Sequence, residues 1–209
     1  LGSGSRSWDK YTAIGRYVRN KKIIVVMPYA GKSFYMNEKY GLNYYDYIAK
    51  ELPDMIEATF PASDRRFIAG ASMGGYGACT NGLRWHDTFS KIVMFSPAID
   101  VTDLLSERAG SLPNQLFSAW MGDEDSYRES WMNPRYSLLK AKEQCMDVPP
   151  MFLCCGRQDA LVYDMCSRFA DFARKEGLPL TYLEGEGQHD IPFWDGMLEP
   201  AFRFMTESH

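Results

Sequence analysis

The stretch Arg66-Phe67-Ile68-Ala69-Gly70-Ala71-Ser72-Met73-Gly74-Gly75-Tyr76-Gly77-Ala78 decides the fold of this chain. It begins as a short apolar run typical of a strand, turns at glycines, and continues into small residues typical of a helix. Within it, Gly70-Ala71-Ser72-Met73-Gly74 has the G-x-S-x-G pattern of a nucleophile elbow. Glycines two positions before and after the serine relieve backbone crowding because they have no Cβ. The alternative is a glycine-rich turn without chemistry, and the flanking strand and helix favour the elbow.

The elbow would give Ser72 the two things that a serine nucleophile needs. A hydroxyl is a weak nucleophile unless it is held in the open beside a base. The helix that begins at Met73 also points its free N–H groups, and the positive end of its dipole, at charge that forms near the serine. The stretch therefore predicts a nucleophile, and the rest of the chain has to supply the base.

The chain has only three histidines, so the candidates for this base can be compared one by one. His86 follows the predicted elbow helix, where a surface or helix-end role is favoured, and His209 is the last residue. His189 lies in the glycine-rich segment Gly185–Asp190, just past the last predicted strand. Because ligands gather at the carboxyl ends of strands in an open parallel sheet, we expect His189 to be the base. A solvated loop histidine is the alternative.

The acidic partner should lie between the serine and the histidine and should follow a strand. Asp159 meets both conditions, because it comes directly after the predicted strand Met151–Cys155. There it would hold the imidazole in one tautomer and stabilise the imidazolium; its alternative role is to cap the helix that follows. Two rivals are less well placed, since Asp164 falls inside that helix and Asp190 would have to fold back on its neighbour.

Length and composition indicate an ordinary globular protein. The 209 residues suit a single domain over 1–209, and 45% are hydrophobic and 24% charged. The net charge of -4 provides no electrostatic footprint for nucleic acid, and no apolar run approaches the roughly 18 residues of a membrane span. The five cysteines lack zinc-type spacing, and the pair Cys154-Cys155 is expected to be buried rather than bonded. A cytoplasmic location is therefore expected, with secretion as the alternative.

Strand-like and helix-like segments alternate along the chain. The predicted strands are Ile23–Met27, the elbow strand, Lys91–Ser96, Met151–Cys155 and Leu180–Leu183. The predicted helices are Trp8–Arg19, Tyr44–Phe60 with a kink or break at Pro53, the elbow helix, Val162–Lys175, and Phe193–Met205 with a disturbance at Pro200. This alternation predicts an α/β fold with a mostly parallel sheet and helices on both faces. The irregular segment 101–148 is predicted to be a lid or insertion above the sheet.

These residues resemble the esterase D-like branch of the α/β-hydrolases, which includes bacterial tributyrin esterases, S-formylglutathione hydrolases, and feruloyl and acetyl-xylan esterases. The likeness covers nearly the whole chain, and the tributyrin esterase type is the nearest. Its most specific part is Phe67–Gly77, and Gly187–Trp194 is similar to the histidine loop, with Ile191 where an aromatic residue is common. Ile24–Pro28 and Tyr44–Pro53 resemble the strand before the first variable loop and the helix after that loop.

The resemblance implies the α/β-hydrolase fold and places Ser72, Asp159 and His189 on the triad positions of the family. It also implies two backbone N–H donors to the oxyanion. Met73 would be one, and the residue after a His-Gly that ends an earlier strand would be the other. Because the first eight residues resemble the stretch directly after that His-Gly, Leu1 is expected to be this second donor. On this interpretation the N-terminal strands of the family are missing from the chain.

The sequence thus predicts a serine carboxylesterase that hydrolyses short acetyl-type or butyryl-type esters through an acyl-enzyme, with no metal and no organic cofactor. Its expected partner is a small-molecule ester, and a homo-oligomer is possible. The alternatives are a feruloyl or acetyl-xylan esterase, an S-formylglutathione hydrolase, an acyltransferase on the same fold, and a catalytically impaired binding domain. Five aromatic residues are candidates for the pocket wall, and the three tryptophans are the preferred ones: Phe34, Tyr35, Trp120, Trp131 and Trp194.

Overall fold

A parallel four-stranded sheet forms the centre of the computed structural model, which describes residues 6–19, 21–37, 41–102 and 124–207. The strands lie in the order β1-β2-β3-β4, with the bounds β1 Phe67–Ala71, β2 Lys91–Phe95, β3 Met151–Gly156 and β4 Leu180–Gly185. Their parallel pairing brings all four carboxyl ends to one edge. These are the elbow strand and the three strands predicted after it, so the predicted parallel sheet is confirmed for them.

Helices precede, separate and follow the strands. In chain order the described ones are α1 Ser7–Tyr11, α2 Ile14–Val18, α3 Tyr44–Asp46, α4 Leu52–Thr59, α5 Met73–Arg84, α6 Glu124–Arg128, α7 Pro134–Glu143, α8 Tyr163–Glu176, α9 Ile191–Gly196 and α10 Leu198–Thr206. A π-helical segment, Tyr47–Glu51, joins α3 to α4.

The sheet is buried on both faces because its side chains alternate between two cores. In β2, where every residue is buried, Ile92 and Met94 pack into a cluster that contains Tyr76 of α5. Val93 and the final residue of the strand pack into a second cluster that contains Phe202 of α10. Continuous apolar strands of this kind are typical of parallel sheets covered by helices. The prediction of helices on both faces is confirmed.

The elbow is a sharp turn that is tied to the neighbouring strand. Ser72 has φ 56° and ψ −118°, a conformation that is uncommon outside glycine. Its N–H donates to the Phe95 carbonyl at 2.9 Å, and its own carbonyl accepts from the Ala98 N–H at 3.1 Å. A Cβ on Gly70 would lie 2.2 Å from the Gly74 carbonyl oxygen, so the first elbow glycine is required. The second has more room than predicted, since a Cβ on Gly74 would approach nothing closer than 3.7 Å.

The predicted strand Ile23–Met27 is wrong. This segment has no regular secondary structure and forms no ladder with any described strand. Ile24 is 46% exposed, so these side chains are not covered on both faces as expected. A β-branched run becomes a strand only where its backbone finds a hydrogen-bonding partner, and among the described strands β1 pairs only with β2.

Two predicted helices are divided in the structure. The first, Trp8–Arg19, breaks into α1 and α2 at Thr12, whose hydroxyl donates to the Trp8 carbonyl while the next N–H donates to the Asp195 carboxylate. The last, Phe193–Met205, divides at Met197 into α9 and α10. Pro200 then falls in the first turn of α10, where its missing N–H has no intrahelical partner to lose.

The disturbance predicted at Pro53 is present, but the chain does not leave the helix. The wider turns of the π-helical segment lead directly into α4, with Pro53 as the second residue of α4. Pro53 is therefore in the first turn of α4, a position at which proline is tolerated.

The cysteine prediction is confirmed, because all five cysteines are free and both Cys154 and Cys155 are fully buried. For the segment 101–148, the described part contains the short helices α6 and α7. Residues 103–123 lie outside the described residues, so the role of the segment 101–148 as a lid or insertion stays a prediction.

Replacing Gly70 should test the close approach at the elbow. We expect Gly70→Ala to lower the free energy of unfolding by about 1–3 kcal/mol or more, because its Cβ would meet backbone atoms rather than a movable side chain. Urea unfolding measures this change. The control is Gly15→Ala at an exposed position of α2, where an added Cβ meets nothing within 4 Å and should be neutral or slightly stabilising. Equal stability of the two variants would contradict the proposed crowding.

Candidate active site

Three side chains from three different loops meet at the carboxyl edge of the sheet. Nε2 of His189 lies 2.8 Å from Oγ of Ser72, and Nδ1 of the same ring lies 2.7 Å from Oδ2 of Asp159. Ser72 and Asp159 follow β1 and β3, and His189 follows β4. The sequence predicted all three residues, and the structure brings them into one hydrogen-bonded row.

Ser72 is positioned by the elbow at the mouth of a cavity. It is the N-cap of α5 and is half-buried, so its hydroxyl is reachable from outside. Met73 is the first residue of the helix, and the N–H at that position has no intrahelical acceptor. That N–H and the positive end of α5 can stabilise a negative charge that develops beside Ser72.

Asp159 faces His189, as expected of the acid partner, but it does not cap α8, whose N-cap is Val162. One oxygen accepts from His189, while the other accepts the backbone N–H groups of Leu161 and Val162 at 3.0 and 3.1 Å. Only 1% of the residue is exposed. Burial alone raises the pKa of the Asp159 carboxyl, but the hydrogen bond and charge of His189, with the two backbone N–H donors, outweigh it and hold that pKa below 3.8.

A connection between the two loops that carry the acid and the histidine was missed by sequence reasoning. The Gln158 N–H donates to the Gly187 carbonyl at 3.0 Å, and the Gln158 side-chain oxygen accepts from the Gly187 N–H at 2.7 Å. Gly156 at the end of β3 approaches the same residue, because a Cβ there would lie 2.3 Å from the Gly187 carbonyl oxygen. In the sequence, the only signal for this connection is that Gln158 directly precedes the predicted acid, Asp159.

Trp194 lies against the catalytic histidine candidate. Its ring and that of His189 are nearly perpendicular, at 86°, with centroids 5.3 Å apart. The Trp194 indole N–H donates to the Ser96 hydroxyl at 3.1 Å, and Trp8 packs nearby with its centroid 6.3 Å from that of Trp194. Of the three predicted pocket tryptophans, this one is brought to the site, together with Trp8 and Ser96, which the sequence did not indicate.

The structure places Trp131 away from Ser72. Its ring packs on that of Tyr45 at 4.3 Å between centroids, and Arg84 lies over it at 5.5 Å. Arg84 is the last residue of α5, a helix about 18 Å long that begins next to Ser72. The expectation of a pocket role for Trp131 is therefore corrected to packing at the far end of this helix.

The remaining candidates have other positions. His86 pairs with Asp87 at 3.1 Å at the end of α5, as expected for a helix-end residue. Asp190 caps α9 by accepting the Phe193 N–H at 3.1 Å, and Asp164 lies on α8. Three predicted residues, Leu1, Trp120 and His209, lie outside the described residues.

A large apolar cavity opens beside the serine and the histidine. Its volume is 1580 Å³, more than the roughly 300–1,000 Å³ of a typical small-molecule site. Tyr35, Trp194 and Met73 line it together with Ser72 and His189, and Ile23–Gly31 and the residues of β1 also line it. A small ester would therefore fill only part of this cavity.

Within the described ranges, the structure contains no group of three or more His, Cys, Asp or Glu side chains that could hold a metal ion. None of the helices in these ranges is both long and apolar enough to cross a membrane.

The chain is similar to known proteins in both sequence and structure. Residues 1–205 match the family described as "Putative esterase". The chain belongs to this esterase family. Together with the relatives described next, this match shows that the chain is an esterase D-like α/β-hydrolase. It is a serine carboxylic ester hydrolase that acts on small-molecule esters.

One relative in sequence and two in structure illustrate the relationship. The esterase is 29% identical over 198 residues to an acetyl esterase of Caldicellulosiruptor saccharolyticus, covering 88% of this chain and 72% of that protein. It is similar to the fluorophosphonate-binding serine hydrolase F of Staphylococcus aureus, at TM-score 0.89 and 33% identity over 100% of this chain and 81% of that one. S-formylglutathione hydrolase from the same organism has a TM-score of 0.86 and 33% identity, covering 99% and 81% of the two chains.

The depressed pKa of Asp159 predicts how the stability of the esterase depends on pH. A carboxyl whose pKa is lower in the folded state stabilises the fold above the ordinary value of 3.8, and this contribution is lost as the pH falls through the folded value. The stability difference between wild type and Asp159→Asn should therefore be largest near pH 5 and shrink towards pH 3. Urea unfolding at intermediate pH values measures it.

The exposed carboxylate of Asp164, five residues further along the chain, provides a matched control. Because this carboxylate is exposed, Asp164→Asn should differ less from wild type than Asp159→Asn does. A difference for Asp159→Asn that stays constant from pH 5 to pH 3 would contradict the stabilisation of its ionised form.

Proposed function

We propose that Ser72, His189 and Asp159 form the catalytic triad of a serine carboxylesterase specific for esters of short acyl groups. One observation supports this above all others: an uninterrupted hydrogen-bonded row from Asp159 Oδ2 through both nitrogens of His189 to Ser72 Oγ, with distances of 2.7 and 2.8 Å. A nucleophile, its base and the group that orients the base are the three parts that this mechanism requires.

In the acylation step, His189 Nε2 takes the proton of the Ser72 hydroxyl as Oγ forms a bond to the ester carbonyl carbon. The carbonyl double bond becomes a single bond to an oxyanion, and the N–H of Met73 donates a hydrogen bond to this oxygen. When the oxyanion collapses, the bond to the alcohol breaks, and the alcohol leaves with the proton from His189. The product of this half-reaction is an acyl group on Ser72.

In the deacylation step, water replaces the alcohol and the same residues act again. His189 takes a proton from the water, whose oxygen attacks the acyl carbonyl, and then returns it to Ser72 Oγ as the acid leaves. Asp159 stabilises the imidazolium in both steps, because its buried carboxylate remains ionised and faces Nδ1. The Trp194 ring, held by its hydrogen bond to Ser96, packs against the imidazole and restricts its motion.

The preference for short acyl groups is supported by the wall of the cavity next to Ser72. There Tyr35 and Trp194 supply bulky rings, and the indole N–H of Trp194 is engaged by Ser96. A rigid wall admits an acetyl or butyryl group more readily than a long chain. The acetyl esterase relative points to the same class.

A thioester substrate is the second candidate. The likeness to S-formylglutathione hydrolase, at 33% identity and TM-score 0.86, favours it over a feruloyl ester or an acetylated polysaccharide. An acyl thioester would pass through the same acyl-enzyme, with a thiol in place of the alcohol as the leaving group.

Removing the nucleophile tests the mechanism. Ser72→Ala should lower kcat for p-nitrophenyl acetate by about a million-fold and abolish the initial burst of nitrophenol. It should also prevent covalent labelling by a fluorophosphonate, which intact mass spectrometry detects as one added group on the wild type. Ser90→Ala changes an exposed serine that directly precedes β2 and should behave as wild type. Burst kinetics or labelling retained in Ser72→Ala would refute the scheme.

A substrate series tests the specificity. We expect kcat/KM for acetyl and butyryl esters of p-nitrophenol to exceed that for the octanoyl ester by at least about tenfold, because the bulky rings of Tyr35 and Trp194 line the cavity with Ser72. Methyl ferulate and S-formylglutathione complete the series. A higher kcat/KM for octanoyl or feruloyl esters would contradict the short-acyl preference, and a higher value for S-formylglutathione would favour the thioester substrate.

A further inference from the structure

Tyr35 lies in a strained turn beside the elbow helix. Two successive residues with large side chains, Phe34 and Tyr35, have φ of 51° and 59°, a region that side chains larger than that of glycine rarely adopt. Strain of this kind persists only where the surrounding structure holds it, and it is concentrated at functional sites. Among the described residues Ser72 is another example, with φ 56°.

The turn is held at several points. The buried Ser33 hydroxyl donates to the Ala30 carbonyl at 2.7 Å and accepts the Tyr35 N–H at 3.1 Å. Phe34 is 1% exposed, and its ring meets that of Tyr76 on α5 edge to face, with centroids 5.7 Å apart. Met36, on the other side of Tyr35, is completely buried. The backbone is therefore fixed, and the direction of the Tyr35 side chain is fixed with it.

Two glycines of α5 show where the Tyr35 side chain points. A Cβ on Gly77 would lie 2.6 to 2.8 Å from Cδ2, Cγ and Cβ of Tyr35, the atoms nearest its backbone. A Cβ on Gly74, one turn earlier, would lie 3.7 Å from the hydroxyl oxygen. The ring thus runs along the glycine face of α5 from Gly77 towards Gly74, and its hydroxyl points at the N-terminal end of the helix, where Ser72 and Met73 lie.

The hydroxyl is available as a donor in the cavity. No described residue accepts a hydrogen bond from it, and Tyr35 lines the same cavity as Ser72, Met73 and Gly74. Burial raises the pKa of the Tyr35 phenol, so the proton stays in place at neutral and moderately alkaline pH.

From this placement we infer that the Tyr35 hydroxyl, in addition to the Met73 N–H, donates a hydrogen bond to the oxyanion of the tetrahedral intermediate. The inference rests on the proposed function, since it assigns a further catalytic residue to the reaction at Ser72. The phenol keeps its proton throughout, and no covalent bond to Tyr35 forms or breaks. The contact strengthens as charge moves onto the oxygen, so it lowers the barrier more than it tightens substrate binding.

The conservative variant Tyr35→Phe tests this assignment, because it keeps the ring on Gly77 and removes only the hydroxyl. We expect kcat for p-nitrophenyl acetate to fall by about 100-fold with little change in KM, the usual consequence of losing one oxyanion donor. An aryl trifluoromethyl ketone, which adds to the serine and carries an oxyanion, should lose affinity by a similar factor. Tyr11→Phe, which removes an exposed hydroxyl on α1, should leave both values unchanged.

The outcomes separate this inference from the proposed function. If the wild-type enzyme is active and the ketone inhibition constant is unchanged in Tyr35→Phe, the oxyanion contact is overturned and the proposed triad is unaffected. If the wild-type enzyme neither hydrolyses the ester nor binds the ketone, the oxyanion contact and the proposed function are both overturned. Thermal unfolding of Tyr35→Phe should match that of wild type, and circular dichroism establishes that the compared variants are folded.

A second variant, on helix α5, tests the position of the same hydroxyl. Gly77→Ala places a Cβ against the base of the Tyr35 ring and should displace it, so kcat should fall in the wild-type background. In the Tyr35→Phe background the same substitution should cause little further loss, because the donor is already gone. Independent, multiplicative losses in the double variant would overturn the idea that Gly77 acts through the hydroxyl. Gly15→Ala is the matched control, since its added Cβ meets nothing within 4 Å.

Discussion

The close approach of Gly70 to the backbone of Gly74 is the constraint on which the site depends. A strand can turn into a helix within one residue only if the two backbones nearly touch, and here a Cβ would lie 2.2 Å from a carbonyl oxygen. The turn forces Ser72 to φ 56°, a conformation that a serine does not hold unaided. Hydrogen bonds to Phe95 and Ala98 hold it by tying the elbow to the end of β2.

The buried sheet supplies the rigidity that this strain requires. Every residue of β2 and β3 is buried, and alternate side chains enter separate cores on the two faces. Because close-packed cores resist deformation, the carboxyl ends of the strands are fixed relative to one another. Strained residues can then be placed at that edge, and the positive φ values of Ser72, Ser96 and Tyr35 all occur there or beside it.

The charges at this edge are arranged so that one buried carboxylate stays ionised. Asp159 has four hydrogen-bond contacts from protein groups, including a long one of 3.9 Å from the Cys155 thiol. Without these contacts, burial would favour the neutral acid, which could not stabilise an imidazolium. The clamp between Gln158 and Gly187 keeps the histidine loop within reach of that carboxylate. The geometry of the row therefore depends on backbone contacts as much as on the three side chains.

The sequence by itself determined the elements that depend on residues close together in the chain. The G-x-S-x-G elbow, the strands after it, and the choice of Asp159 and His189 follow from spacing, elimination and the edge rule for parallel sheets. It failed at Ile23–Met27, because pairing depends on a partner strand and not on β-branched composition. It also misplaced Trp131, because aromatic residues look alike in a sequence whether they line a pocket or pack on Tyr45.

Only the tertiary structure decided that Trp194 faces His189, that Gln158 joins two loops, and that the Tyr35 hydroxyl points towards the elbow. Each of these contacts joins elements that are far apart in the chain, and the direction of a side chain across such a gap is set by packing and not by local sequence.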